Sequence, residues 1–61
     1  MKKVYARGFL GKQKVLAFVK QEGGTVLVCP VDKYNPNSMR GSLEFAVGFP
    51  VEDISEEAFP S

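Results

Sequence analysis

Lys14–Val31 constrains the fold of this chain more than any other stretch. Val15-Leu16-Ala17-Phe18-Val19 and Val26-Leu27-Val28-Cys29-Pro30-Val31 flank Gly23-Gly24, the pattern of two strands joined by a tight turn. Side chains along a strand alternate between faces, so a sheet with one solvated face carries a polar residue at every second position. Neither arm does. With Gly23-Gly24 as a two-residue loop, Val19 faces Val28 and Ala17 faces Pro30 on one side, while Phe18 faces Cys29 and Leu16 faces Val31 on the other. A three-residue loop, Glu22-Gly23-Gly24, instead sets Val19 against Leu27 and Phe18 against Val28. Both faces are apolar in either register, so both must be covered, by this chain or by another. Pro30 has no N–H for a ladder, so the second arm is expected to end, bulge or become an edge there.

Lys12–Glu22 also satisfies helical spacing through Val15, Leu16, Phe18 and Val19, with Gly23 placed as a C-cap. Its ends oppose a helix. No Ser, Thr, Asp or Asn caps the start, Lys12 and Lys14 would sit at the positive end of the dipole, and Glu22 would sit at the negative end. The segment is therefore read as a strand. Upstream, Val4, Ala6 and Gly8 alternate with Lys3, Tyr5 and Arg7, a half-buried strand with a polar outer face. Gly8 and Gly11 bracket a turn or sharp bend. Downstream, Asp32–Ser42 is a polar loop, turning at Asn35-Pro36-Asn37-Ser38 and long enough to be functional. Leu43, Phe45 and Val47 then alternate with Ser42, Glu44, Ala46 and Gly48, predicting a one-faced strand that Gly48-Phe49-Pro50 breaks. Val51–Ile54 is predicted as a final short strand or turn. Asp53 or Ser55 is placed to cap a terminal helical turn, Glu56-Glu57-Ala58-Phe59, leaving Phe59 free to fold back over an apolar patch.

A chain of 61 residues is read as one domain, 1–61, and a domain this small buries only about 60% of its unfolded surface. At roughly 0.05–0.15 kcal/mol per residue its stability is on the order of 3–9 kcal/mol, so oligomerisation is a natural supplement. Other staples are missing: the single Cys29 has no partner for an internal disulfide, there is no histidine, and no ligand cluster has zinc-site spacing. No apolar run of signal-peptide or membrane-spanning length is present, and a lone strand cysteine suits a reducing compartment, so a cytoplasmic protein without membrane association is expected. Four or five short strands, Gly-rich corners and little helix point to an all-β meander closing into a small barrel. With its long middle hairpin and the ending Phe49-Pro50-Val51-Glu52-Asp53-Ile54, a turn followed by a short Val-x-Asp-Ile-like strand, the arrangement resembles an SH3-like barrel. That resemblance implies a fold and no particular function.

Residues suited to catalysis are sparse. Without histidine there is no default proton shuttle near neutral pH, and a carboxylate or lysine would need a strongly displaced pKa to replace it. Cys29, in an apolar strand beside Pro30, reads as a buried hydrophobe rather than a nucleophile. Glu52-Asp53 and Glu56-Glu57 lack the ligand periodicity of a cation loop. Gly8-Phe9-Leu10-Gly11-Lys12 lacks the preceding glycine and following Ser/Thr of a phosphate loop. The chain is read as a non-enzyme with neither metal nor cofactor. An active site would have to be assembled across an oligomer from copies of Tyr5, Arg7, Lys20 or Arg40.

Net charge is +1, but residues 1–33 hold seven Lys/Arg against two acids and residues 34–61 one Arg against five. Such asymmetry either prepares a surface for an anionic partner or is internal compensation between interleaved halves. Two binding readings follow. In the first, the protein self-associates into a homo-oligomer or docks on a protein partner through an apolar hairpin face, Val15, Val19, Val26 and Val28, while the bulkier Leu16, Phe18, Leu27, Cys29 and Val31 fill the core. Its alternative is that the curled barrel and the tail hide these valines. In the second, Lys3, Tyr5 and Arg7 on one strand face, with Lys12, Lys14 and Lys20 nearby and Tyr34 and Arg40 extending the surface, bind nucleic acid, the cations meeting phosphates and a tyrosine stacking on a base.

Overall fold

The computed structural model describes residues 1–60. Five strands, β1 (Lys3–Arg7), β2 (Gln13–Glu22), β3 (Thr25–Cys29), β4 (Val47–Pro50) and β5 (Ile54–Ser55), form one antiparallel sheet in the order β4-β3-β2-β1-β5. A short helix, α1 (Met39–Glu44), lies between β3 and β4, and 3₁₀ turns occupy Phe9–Gly11, Val31–Lys33 and Val51–Asp53.

The central hairpin uses both registers that its sequence allows. Next to the turn, Glu22 pairs with Thr25, Gln21 with Val26 and Lys20 with Leu27, so Gly23-Gly24 is a two-residue loop, and Gly23 takes the positive φ of 58° that such a turn demands. A shift between Phe18 and Lys20 then leaves Val19 without a cross-strand partner, and beyond it Phe18 pairs with Val28 and Ala17 with Cys29. An extra residue on one strand bends it and increases its twist. Strand β3 ends at Cys29, immediately before Pro30.

Bending is compulsory because the two outermost strands are consecutive in the chain. In a flat sheet four strand spacings would separate β4 from β5 by about 19 Å. The three residues Val51–Asp53 link them, a reach of at most about 15 Å from Pro50 to Ile54 and less in a 3₁₀ turn. The sheet therefore curls, although it does not close: β4 pairs only with β3, and β5 only with β1. Inside the curl lie Val4, Ala6, Leu16, Val26 and Val28, with Phe18, Phe49 and Ile54 packed against them.

The outer face of the hairpin has a cover of its own. Ala17, Val19 and Cys29 are buried there beneath Tyr34 and Leu43, with Leu27 alongside. Tyr34 and Leu43 belong to the β3–β4 connection, which is held in shape by short polar contacts. Asn35 Oδ1 accepts from the Asn37 N–H at 2.9 Å, and Ser38 Oγ accepts from the Gly41 N–H at 3.1 Å as the N-cap of α1. Ser42 is fully buried; its hydroxyl accepts from the Asn35 N–H at 2.9 Å and donates to the Asn35 carbonyl at 3.2 Å.

Five expectations are corrected. Val19, Val26 and Val28, assigned to an outward interface, are 6%, 2% and 0% exposed and covered by the chain itself; Val15 alone of that set is exposed, at 43%. The bulge and the curl account for this, since Val26 and Val28 line the concave side and Val19 falls under the Tyr34–Leu43 cover. Of the bulkier set assigned to the core, Leu16 and Cys29 are buried, while Phe18, Leu27 and Val31 are half-buried. Residues 39–44 are helical rather than part of a strand over Leu43–Val47, because Ser38 caps them, and Gly48-Phe49-Pro50 forms β4 itself instead of breaking it. Pro50 is tolerated because β4 is an edge. No helical turn forms over residues 56–59; the Ser55 hydroxyl accepts from the Glu57 N–H at 3.1 Å and turns the chain.

Two substitutions test this packing. Val28→Lys is expected to unfold the domain, and Val28→Ala to lower stability by about 2 kcal/mol through lost burial and a residual cavity; chemical denaturation reads both, and a folded Val28→Lys protein would place Val28 outside the core. Ser42→Ala leaves the part-buried Asn35 N–H without its acceptor and is expected to cost about 1–3 kcal/mol, whereas Ser38→Ala, a lost cap, should cost about 1 kcal/mol.

Candidate functional site

Strand β1 sets the geometry of an outer-face strip that the β3–β4 connection leaves uncovered. Val4 and Ala6 point into the core, so Lys3, Tyr5 and Arg7 must point outward, and their partners on β2 are Ala17, Val15 and Gln13. The strip thus has Lys3 and Arg7 at its ends and the pair Tyr5 and Val15 between them. Tyr5 is half-buried and Val15 exposed. On one side it meets the Tyr34–Leu43 cover over Ala17. On the other lies the C-terminal tail: the Phe59 ring sits 4.4 Å from the Arg7 guanidinium. The Gln13 side chain holds the tail twice, its Nε2 donating to the Phe59 carbonyl at 3.0 Å and its Oε1 accepting from the Phe59 N–H at 2.7 Å. Arg7, Gly11, Phe59 and Pro60 line a recess of about 330 Å³ at this end.

The remaining basic residues assigned to this surface disperse. Lys12 is in the β1–β2 loop, and Lys14 pairs with Ala6 and so belongs to the opposite face. Lys20 is engaged by Glu22 at 2.7 Å; the hydrogen bond and the positive charge of Lys20 hold the Glu22 carboxyl below its usual range. Tyr34 packs on the Ala17 and Cys29 cluster, and Arg40 is exposed on α1. Among the described residues, Lys2 with Glu56 at 3.6 Å and Lys20 with Glu22 are the ion pairs, so neither Lys3 nor Arg7 has a described carboxylate within 4.0 Å. Sequence reasoning missed Gln13; its signal was its position opposite Arg7 once the β1–β2 register is known. It sent Phe59 back over an apolar patch, whereas the ring lands on a guanidinium.

A second recess, of about 210 Å³, opens on the concave side between Phe18, Val26, Val51 and Ile54, with Lys2 and Glu56 at its rim. Lys2 also lies 5.1 Å from the Phe18 ring centre. Glu52-Asp53 and Glu56-Glu57 form no metal-binding cluster of three or more ligands among the described residues. No described helix is long and apolar enough to cross a membrane.

Cys29 is fully buried, and burial first, then the Asp32 carboxylate, pushes its thiol above the usual range. A protonated, covered thiol is a poor nucleophile. Comparison with protein-family models, characterised proteins and solved structures finds no match.

A thiol-specific chromogenic reagent should label Cys29 at least about 100-fold more slowly in the folded chain than in denaturant, since access requires opening of a domain stable by several kcal/mol. Fast labelling of the folded protein would mean that the outer cover is open in solution.

Proposed function

We propose that this chain is a small SH3-like barrel that works as a non-enzymatic binding module, and that its ligand is single-stranded nucleic acid held along the Lys3-Tyr5-Arg7 strip. The barrel reading is supported by the tight curl of the sheet and by its ending, in which the 3₁₀ turn Val51–Asp53 leads into the short strand Ile54–Ser55. One observation carries the ligand: a half-exposed tyrosine stands on a rigid strand between two cations to which no described carboxylate is paired. A flat π surface accepts any unpaired base, and flanking cations accept the backbone on either side of it. Lys3 and Arg7 are four residues apart, about 13 Å along a strand, so the strip is suited to a few nucleotides rather than a long duplex. The expected affinity is correspondingly modest and sensitive to salt.

Self-association is retained as a second reading on a different observation. With Val19, Val26 and Val28 covered, exposed apolar residues at the β4 edge include Phe45, at 47%, and Val47, at 55%.

Fluorescence anisotropy with labelled single-stranded DNA and RNA at about 50 mM salt tests the first reading. Binding should weaken with salt, with a logarithmic slope near −0.7 for each phosphate contacted. Tyr5→Ala should cost roughly 5- to 150-fold in affinity, from the 1–3 kcal/mol of a lost base stack. Lys3→Gln and Arg7→Gln should each flatten the salt dependence. Absence of binding at that salt removes the nucleic-acid reading, and a molar mass that rises with concentration in the same samples would favour self-association.

A further inference from the structure

We infer that the C-terminal segment, residues 56–60, is an internal competitor for the strip: it occupies part of the surface that the single strand would use and is displaced when the strand binds. This rests on the reading above and adds its regulation. Glu56 meets Lys2, just before β1, while Phe59 meets Arg7 at the far end of β1. The Lys2 contact is on the concave side, so the tail meets the strip at its Arg7 end, where Gln13 is the β2 partner of Arg7. Its turn onto that course is made by the Ser55 hydroxyl, which accepts from the Glu57 N–H.

The tail's contact uses a cation assigned to the proposed ligand. The Phe59 ring covers one face of the Arg7 guanidinium, the cation that the strand's backbone would approach. Register is set by Gln13, whose amide closes a two-point bond with the Phe59 backbone. None of these contacts belongs to the sheet: pairing of β5 stops at Ser55, and residues 56–60 are in no strand. Each is solvent-exposed or nearly so, and exposed ion pairs and single neutral hydrogen bonds contribute little in water. The segment can thus leave the strip without disturbing β1–β5, while its presence reduces the fraction of molecules ready to bind and weakens the apparent affinity by that fraction.

The test compares the full chain with Gln13→Ala and Phe59→Ala, using fluorescein-labelled dT12, with far-UV circular dichroism confirming that each variant keeps its sheet. Both variants are expected to bind roughly 3- to 10-fold more tightly, as the closed population is removed. In the unaltered chain, the Phe59 amide, held by Gln13 when free, should exchange faster once dT12 is saturating; this readout depends on no substitution. Unchanged or weaker binding by both variants, or undiminished protection of the Phe59 amide in the complex, would overturn the competitor while leaving the nucleic-acid reading in place. Failure of all three proteins to bind dT12 would overturn both, and the tail would then be a structural clasp alone.

Discussion

Ala17, Val19 and Cys29 stand on one face of the β2–β3 hairpin and Leu16, Val26 and Val28 on the other, and neither set can be left in water. Two different devices answer the two faces. The sheet curls over the second set, because three residues must join its outermost strands. It cannot also curl over the first, so a separate layer is needed there, and residues 30–46 supply it through Tyr34 and Leu43. The length of the β3–β4 connection follows from this demand. A tight turn would have left three buried residues exposed in a domain whose whole stability is on the order of a few kcal/mol.

A polar loop makes a poor cover unless its own backbone groups are satisfied. Ser42 resolves this. Its hydroxyl both accepts from and donates to Asn35, tying the start of the connection to α1, and Ser38 closes the other gap by capping the helix. With these bonds made, Leu43 is held against the sheet by a helix of only six residues, far below the length that is stable alone. The edges of the open sheet are managed as economically. β5 is two residues long, and β4 ends at Pro50, which has no N–H to offer a passing strand.

The apolar content of both hairpin faces was legible in the sequence, and so was the consequence that both are covered. What covers them was not. Alternation of Leu43, Phe45 and Val47 reads as a strand because period-two spacing outweighs a cap that depends on where Ser38 points. The Ser38 cap and the part-buried Asn35–Ser42 contact together hold residues 39–44 as a helix, and no local pattern announces a contact seven residues apart. The bulge was hidden for a similar reason: both registers of the hairpin are apolar, so hydrophobicity does not choose between them, and the chain uses each along half its length. Lys3, Tyr5 and Arg7 were legible as one outward face because β1 alternates cleanly. Their neighbours Gln13 and Phe59 were not, being 46 residues apart in sequence.

The division of charge along the chain acquires a definite form in three dimensions. If the basic first half and acidic second half merely compensated each other, ion pairs between the halves would be numerous. Among the described residues there is one, Lys2 with Glu56; the other pair, Lys20 with Glu22, is local to the hairpin. Compensation thus reaches only the start of β1, at the point where the tail first touches it. Further along the same strand the tail meets Arg7 with a ring that shields one face of the guanidinium, and no described carboxylate pairs with it. A stacked guanidinium still presents its N–H edge to a phosphate. Among the described residues no carboxylate offsets Lys3 or Arg7, and on the proposed reading an anionic strand would compete with Phe59 for the covered face of Arg7.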